Sequence, residues 1–195
     1  KKGPSAPVSR EERLPPGQHL TKGFPVLDLG VRPEFDDQGW RFEVTGEVAN
    51  AIDVDWAGFR SLLPQVEQIS DFHCVTTWSK LDVRWGGLSF ADLAALVEPA
   101  DGVRHVIMHC ADGYTTNLPL ADLLDEGVIL ACELDGQPLP LEHGGPMRLV
   151  VPKLYAWKSA KFLRKLVFQR EDEPGFWEAR GYHNRGDPWS EERYG

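Results

Sequence analysis

The stretch Phe72-His73-Cys74-Val75-Thr76-Thr77-Trp78-Ser79 places one cysteine at the end of an apolar segment. The preceding residues predict a β-strand over Val66–Val75, so Cys74 would face the loop that follows. Neighbouring residues of a strand point to opposite faces, which directs His73 away from Cys74. The residue types leave three roles open for Cys74, namely a soft metal ligand, a nucleophile or an inert buried thiol.

Short elements of mixed type are predicted on both sides of this strand. Asp55 and Ser89 have the residue types of helix N-caps, and Pro64 ends the first helix. The predicted helices are Trp56–Leu63, Phe90 to near Pro99, and a segment from Pro119 to Gly127. The other predicted strands are Arg41–Val48, Val103–Cys110, Val128–Leu134 and Met147–Val151, and Trp157–Gln169 combines a helical start with a β-like end.

This irregular alternation predicts a single mixed α/β domain of the α+β class over residues 1–195. Residues 1–23 are rich in proline and are expected to form an extended arm. The polar residues 171–195 are expected to pack as a coil over the body of the domain. No change of composition and no long-period repeat divides the chain.

The composition excludes several classes of function. The chain has 21 Lys and Arg against 30 Asp and Glu, and a net charge of −9 disfavours binding to nucleic acid or to an anionic membrane. No apolar run approaches the roughly 20 residues that cross a bilayer, and no signal peptide is recognised after Lys1. An odd number of cysteines, three, suggests reduced thiols, so a cytoplasmic location is expected.

Several common site motifs are missing from the sequence. Gly86-Gly87 and Gly144-Gly145 are interpreted as turns, since neither belongs to a dinucleotide-binding or phosphate-loop motif, and no hydrolase elbow occurs. His105 and His109 lie on a predicted strand, where four residues separate the two rings by about 13 Å. They are therefore not expected to share a metal ion.

Three cations in the second half of the chain suggest an anion site. Lys158 and Lys161 would share one face of a helix start, with Ser159 between them, and free backbone N–H groups there could hold a phosphate. A solvated helix face is the alternative. Arg148 lies in the apolar run 147–151, and a guanidinium on a core strand requires an anionic partner.

Taken together, four segments resemble the sulfite oxidase family, whose shared domain binds a molybdenum cofactor. The segments are Phe72–Ser79, Trp85–Leu88 with its following helix, Gly144–Pro152 and Tyr155–Lys161. Their order and spacing extend the resemblance from Val26 to Phe168. The segment Gly181–Trp189 is similar to that of small, stand-alone bacterial members. The resemblance implies a domain of the sulfite oxidase molybdenum-cofactor-binding type.

The resemblance also implies a cofactor and its contacts. The cofactor would be a molybdenum-molybdopterin (Mo-MPT), with molybdenum held by a dithiolene and by Cys74 as the one protein ligand. A thiol bound to such a metal is deprotonated. The other residues implied to bind the cofactor or its phosphate are Asp28, His73, Cys110, His143, Arg148, Lys158, Ser159, Ala160 and Lys161.

By resemblance the chain is an oxidoreductase that performs a two-electron oxygen-atom transfer, with electrons exchanged through a separate partner protein. Thr76-Thr77-Trp78-Ser79 replaces the basic run of the animal sulfite oxidases, which disfavours sulfite and favours a small neutral S-oxide or N-oxide. Sulfite oxidation and a metal-free binding module are the alternatives. Cys110 is expected to face the cofactor and Cys132 to be structural, and an aromatic mouth is expected from Trp78, Trp85, Tyr114 and Trp157.

Overall fold

A computed structural model describes residues 9–195, which form eleven strands, three short α-helices and three 3-10 helices. The strands are β1 (His19–Leu20), β2 (Phe42–Gly46), β3 (Ile52–Val54), β4 (Val66–His73), β5 (Trp78–Ser89), β6 (His105–Cys110), β7 (Thr115–Pro119), β8 (Ile129–Leu134), β9 (Gln137–Pro138), β10 (Arg148–Val150) and β11 (Leu163–Gln169). The α-helices are α1 (Trp56–Ser61), α2 (Phe90–Val97) and α3 (Leu120–Leu123), and 3-10 helices cover Leu141–His143, Ala156–Lys158 and Glu178–Arg180.

Two sheets organise these strands. The first contains β1, β5, β8 and β10 as neighbours in that order, with β4 also paired to β5 and β9 to β8. The second has the order β3-β2-β11-β6-β7. Most pairs are antiparallel, but β1 runs parallel to β5 and β11 runs parallel to β2. The mixed sheets and few helices confirm the predicted α+β class.

Two apolar clusters fill the interior. The larger cluster includes Phe42, Phe90 and Leu166, and the smaller one holds Cys74 together with the aromatic rings of Phe72, Trp78 and Trp85. The smaller cluster packs one face of the β4–β5 hairpin, so the turn of that hairpin rests on fixed aromatic rings. Cys74 is thus held in place by burial and does not lie on a free loop.

The predicted helix starts are confirmed at two positions. The carboxylate of Asp55 accepts a hydrogen bond from the Gly58 backbone N–H, and the Ser89 hydroxyl accepts one from the Asp92 N–H. Each side chain satisfies a donor that the first turn of a helix leaves free. The helix predicted from Pro119 is present only as the short helix α3, since Pro119 itself ends β7.

The interpretation of Gly86-Gly87 as a turn is wrong, because both glycines lie inside the 12-residue strand β5. Their pairing with β8 contains a register shift between Gly86 and Gly87. A Cβ atom at Gly87 would lie 2.0 Å from the carbonyl oxygen of Leu130 in β8. Glycine is therefore required here by the close approach of two backbones, and a bulge explains the doublet better than a turn does.

The segments at the two ends of the described chain pack against the same hairpin. Residues 1–8 of the predicted arm lie outside the described residues, and the following segment supplies β1 and an ion pair from Arg13 to Asp71. Residues 171–195 contain the 3-10 helix Glu178–Arg180 and a backbone bridge between Tyr182 and Tyr194. Within residues 9–195, every helix falls short of the length and apolarity that a membrane crossing needs.

Gly87→Ala should destabilise the fold by about 3 kcal/mol, because the added methyl group forces β5 and β8 apart. Gly23→Ala is the matched control, since a Cβ atom at Gly23 meets nothing within 4 Å. The free energy of unfolding of both variants is measured by urea denaturation. An unfolding midpoint of Gly87→Ala equal to that of Gly23→Ala would contradict the close packing described for this pair of strands.

Candidate functional site

Cys74 occupies the first position of the tight turn between β4 and β5. The Thr77 N–H donates to the Cys74 carbonyl at 3.0 Å, and the Cys74 N–H donates to the Trp78 carbonyl at 2.9 Å. Thr77 has a φ of 79°, the left-handed conformation that closes a three-residue hairpin loop. The Cys74 thiol is 6% exposed and lies 3.1 Å from the Thr76 hydroxyl, and burial raises its pKa.

A cavity of about 240 Å³ opens beside this turn. Its walls come from the β4–β5 turn, from the segment before β2, from the turn between β6 and β7, from β10 and both of its flanks, and from residues 171–195. Sequence-predicted residues in the wall are Asp28, Cys74, His143, Arg148, Ser159, Ala160 and Lys161. The structure therefore gathers seven of the ten predicted site residues around one space.

Arg148 is the most unusual member of this wall. The residue is 2% exposed, and its guanidinium donates to the carbonyl oxygens of His143 at 2.8 Å and Ser159 at 2.7 Å. A longer contact of 3.3 Å reaches the Leu149 carbonyl. These partners are neutral, so the anionic partner predicted for Arg148 is not a side chain of residues 9–195, and a bound anion stays a prediction. Burial consequently lowers the pKa of Arg148 to about 9.

Aromatic faces cover the rest of this guanidinium. Its centre lies 5.1 Å from the ring centroid of Phe72 and 5.5 Å from that of Trp85. An arginine has five N–H donors, and three hydrogen bonds to carbonyls leave two of them without an acceptor among residues 9–195. Arg148 thus remains a buried cation that neutral groups only partly compensate.

Lys161 brings a second cation to the same wall. Its ammonium donates to the carbonyl oxygens of Leu27 and Glu142, both at 2.7 Å. Burial and the nearby Arg148 lower the pKa of Lys161 to about 8. Gly144 packs against its stem so closely that a Cβ atom would lie 2.8 Å from the Lys161 Cγ. Asp28 faces this region but is already paired with Arg32 at 2.8 Å.

Lys158 lies away from the cavity, contrary to the prediction that it shares a face with Lys161. Its ammonium is fully buried, 2.6 Å from the carboxylate of Glu178, and also donates to Asn117. The physical reason is that the helix spans only Ala156–Lys158, and Ser159 leaves the helical conformation with φ −91° and ψ 74°. Helical spacing therefore does not extend from Lys158 to Lys161.

Two other predicted residues also lie off the cavity wall. His73 is buried on the other face of its strand, where its Nδ1 lies 2.8 Å from the Ser79 hydroxyl. Cys110 is half-buried at the end of β6 and packs against the larger core cluster. Cys132 is 2% exposed in β8, where Arg60 contacts its sulfur.

His143, Ser159 and Ala160, the remaining predicted residues, contribute to the cavity wall through different contacts. The His143 ring stacks on Phe24 with 4.4 Å between centroids. The Ser159 hydroxyl accepts a hydrogen bond from the Val151 N–H at 2.9 Å, so its side chain mainly fixes the backbone around Arg148. Ala160 is buried, and its carbonyl accepts from the Leu149 N–H. These contacts set the positions of the two cations.

Aromatic side chains form a large part of the cavity wall. Trp78, Tyr114 and Trp157 are present as expected, whereas Trp85 is fully buried beneath Arg148 and does not reach the mouth. Sequence reasoning missed Phe24, Trp177 and Tyr182, which come from segments without periodicity. For Trp177 and Tyr182 the sequence did contain a signal, namely large aromatic residues in an otherwise polar segment, as in Gly175-Phe176-Trp177 and Gly181-Tyr182.

The donor set of this cavity fits a molybdopterin. An anionic phosphate would complete the coordination of the partly compensated Arg148 and reach Lys161, and both groups are suited to charge-assisted hydrogen bonds. The thiol of Cys74, in the same cavity wall, is a soft ligand suited to a soft metal centre. Within the described residues, no cluster of three or more His, Cys, Asp or Glu is placed to hold a metal ion.

Glu178→Gln should destabilise the protein by about 3–5 kcal/mol, because it leaves the Lys158 ammonium buried without its counter-ion. A chain of this size then loses at least about 6 °C in Tm. Glu43→Gln is the matched control, since Glu43 pairs with Lys165 at 3.2 Å on the surface. Calorimetry of the two variants checks this, and equal losses of Tm would contradict the buried pair.

Comparisons with known proteins identify relatives that match most of this chain. The chain is 44% identical over 183 residues to an uncharacterized oxidoreductase, YuiH, of Bacillus subtilis (strain 168), covering 93% of this chain and 92% of the relative. It is 33% identical to a putative protein-methionine-sulfoxide reductase subunit, YedZ1, of Azospira oryzae, covering 86% of this chain and 64% of the relative. It is 30% identical to the protein-methionine-sulfoxide reductase catalytic subunit MsrP of Burkholderia mallei, covering 71% of this chain and 46% of the relative.

A solved structure and a family model point the same way. The fold is similar to that of the sulfane dehydrogenase SoxCD from Paracoccus pantotrophus, with a TM-score of 0.65 at 19% identity over 72% of this chain and 40% of the other. The model of the oxidoreductase molybdopterin binding domain matches residues 29–177, which include the thiol, the guanidinium and the ammonium of the cavity wall. This chain therefore belongs to the oxidoreductase molybdopterin binding domain family.

Proposed function

We propose that the cavity holds molybdenum-molybdopterin with Cys74 as the thiolate ligand and Arg148 and Lys161 as the phosphate-binding cations. The observation that carries this assignment is the buried Arg148 guanidinium, which lines the cavity and contacts only neutral groups among residues 9–195. A buried cation of this kind is costly unless an anion compensates it. The thiol of Cys74, which also lines this cavity, would supply the metal ligand.

The protein groups have distinct tasks around the bound cofactor. When bound, the molybdenum centre supplies a two-electron oxygen-atom transfer. Arg148 and Lys161 bind the phosphate and fix its position, while the carbonyls of His143 and Ser159 hold the guanidinium in place. The aromatic wall excludes water from the thiolate side of the cavity, which strengthens the electrostatic contacts inside it.

A small neutral S-oxide, such as a methionine sulfoxide, is the proposed substrate, with an N-oxide as a close chemical analogue. Two relatives are named as protein-methionine-sulfoxide reductase subunits. The cations of the described wall are Arg148 and Lys161, which the phosphate would engage, and Asp28 and Asp112 bring negative charge. Few positive groups are left for a second anion, and burial raises the pKa of Asp112 in the same wall.

We further propose that the electrons come from a separate partner protein in the cytoplasm. The two relatives named as subunits of a reductase support a partner. Cys74, Cys110 and Cys132 are all free thiols, a state that a reducing compartment maintains.

Arg148→Lys and Lys161→Ala should each weaken cofactor retention about 10- to 150-fold, because each removes charge-assisted hydrogen bonds of about 1.5–3 kcal/mol. Lys165→Ala is the matched control, since this lysine pairs with Glu43 away from the cavity wall. Molybdenum per chain after long dialysis is the measurement. Full molybdenum content in both cavity variants would place the phosphate elsewhere.

The loaded enzyme should reduce a neutral S-oxide with an artificial electron donor at least about tenfold more efficiently than it oxidises sulfite. This ratio of kcat/KM values corresponds to about 1.4 kcal/mol of transition-state preference. Steady-state assays of one preparation with methionine sulfoxide, an N-oxide and sulfite measure it. Efficient sulfite oxidation without turnover of the neutral oxides would reject the proposed substrate class.

A further inference from the structure

Two segments that are distant in sequence meet at the turn that carries Cys74. The side-chain amide of Gln18 donates to the Cys74 carbonyl at 3.0 Å, to the Trp78 carbonyl at 2.9 Å and to the Ser79 hydroxyl at 3.1 Å. The backbone beside it continues the contact, since the His19 N–H donates to the Thr77 carbonyl at 2.8 Å. The segment before β2 is therefore bonded to both sides of this turn.

Arg193 approaches the same turn from the other segment. Its Nη1 donates to the Val75 carbonyl at 2.6 Å, and its Nη2 donates to the side-chain oxygen of Gln18 at 3.1 Å and to the Pro16 carbonyl at 3.3 Å. The guanidinium also lies 5.0 Å from the ring centroid of Tyr155. One planar cation thus joins residues 16–18, the turn and the segment that follows β10.

The orientation of the Gln18 amide follows from its neighbours. The nitrogen faces two carbonyl oxygens and a hydroxyl, and the oxygen faces a guanidinium that can only donate. Turning the amide over would place oxygen against the carbonyls of Cys74 and Trp78, and nitrogen against Arg193. Arg193 therefore fixes the direction in which Gln18 donates, and the two side chains act as one unit.

The turn needs such support from outside. Thr77 is a β-branched residue in the left-handed conformation, which costs about 1–2 kcal/mol relative to the right-handed regions. The carbonyls of Cys74 and Val75, the first two residues of the turn, are the groups that Gln18 and Arg193 hold. Since the thiol direction follows the backbone of the turn, fixing these carbonyls fixes the direction of the Cys74 sulfur.

We propose that Gln18 and Arg193 are positioning residues that set the orientation of the Cys74 thiolate toward the metal. This inference rests on the ligand role of Cys74 proposed above. Neither side chain is part of the cavity wall, so their effect passes through the turn. The orientation of a ligand tunes the metal that it binds, as groups outside the coordination sphere commonly do.

The test uses the full chain purified with its cofactor. Gln18→Glu keeps the shape of the side chain but replaces the donating amide nitrogen with an oxygen. Arg193→Lys keeps the positive charge but loses the planar guanidinium, which donates to two groups at once. Arg185→Lys is the matched control, because Arg185 lies in the same segment and pairs with Asp122. The readouts are the thiolate-to-metal absorption band and the reduction potential, both expressed per bound molybdenum.

Gln18→Glu and Arg193→Lys should shift the band and the potential while Arg185→Lys leaves both unchanged. With the S-oxide as substrate, the two variants should lower kcat about tenfold with little change in KM. If instead they only lose thermal stability or molybdenum, and the remaining loaded protein keeps the wild-type band and potential, their role is structural and the inference is overturned.

Cys74→Ser separates this inference from the proposed function. Loss of the band in Cys74→Ser with an unmoved band in Gln18→Glu and Arg193→Lys overturns the positioning role alone. A band that persists in Cys74→Ser contradicts the ligand role and the positioning role together.

Discussion

The cation of Arg148 is the constraint on which the rest of the site depends. A guanidinium buried in a protein interior is unfavourable unless its charge and its donors are satisfied. Here the surrounding structure supplies carbonyls from His143 and Ser159 and the faces of Phe72 and Trp85, but no carboxylate within residues 9–195. The fold therefore keeps a positive charge at the cavity wall that only a bound anion compensates fully.

Neighbouring parts of the fold maintain that arrangement. The bonds of Arg148 tie β10 to the segments on both of its sides, and Gly144 allows Lys161 to pack close to them. The pairing of β5 with β8 requires glycine at position 87, and β8 pairs in turn with β10. One sheet thus connects the hairpin of Cys74 to the strand of Arg148, so the thiol and the cation are held by a continuous hydrogen-bonded framework.

The sequence was informative where a residue type conflicted with its surroundings. Arg148 in an apolar run and Cys74 at a strand end were recognisable because both are unusual in those contexts. Lys158 and Lys161 looked equivalent, and only the tertiary structure shows that Glu178 neutralises one of them while the other reaches the cavity. Local spacing cannot reveal a counter-ion that is 20 residues away in the chain.

The parts that sequence reasoning missed share a physical cause. The sequence did not predict strand β5 as a whole, because a Gly-Gly pair such as Gly86-Gly87 is typical of turns. Glycine is needed at position 87 because the backbone of Leu130 approaches it closely, and this is a long-range contact. Trp177, Tyr182 and Gln18 lie in irregular segments, where no periodicity indicates which side chains face inward. The cofactor was predicted from the resemblance to the family. The contacts of Gln18 and Arg193 with the Cys74 turn are hydrogen bonds between distant segments, which only the structure shows.

A crystal structure of the cofactor-loaded protein would show directly whether Arg148 and Lys161 bind the phosphate. The measured quantity is the distance from the cofactor phosphate to the guanidinium of Arg148 and the ammonium of Lys161. We expect charge-assisted hydrogen bonds of about 2.7–2.9 Å to both groups. A phosphate bound elsewhere, with Arg148 still contacting only the carbonyls of His143, Leu149 and Ser159, would contradict it.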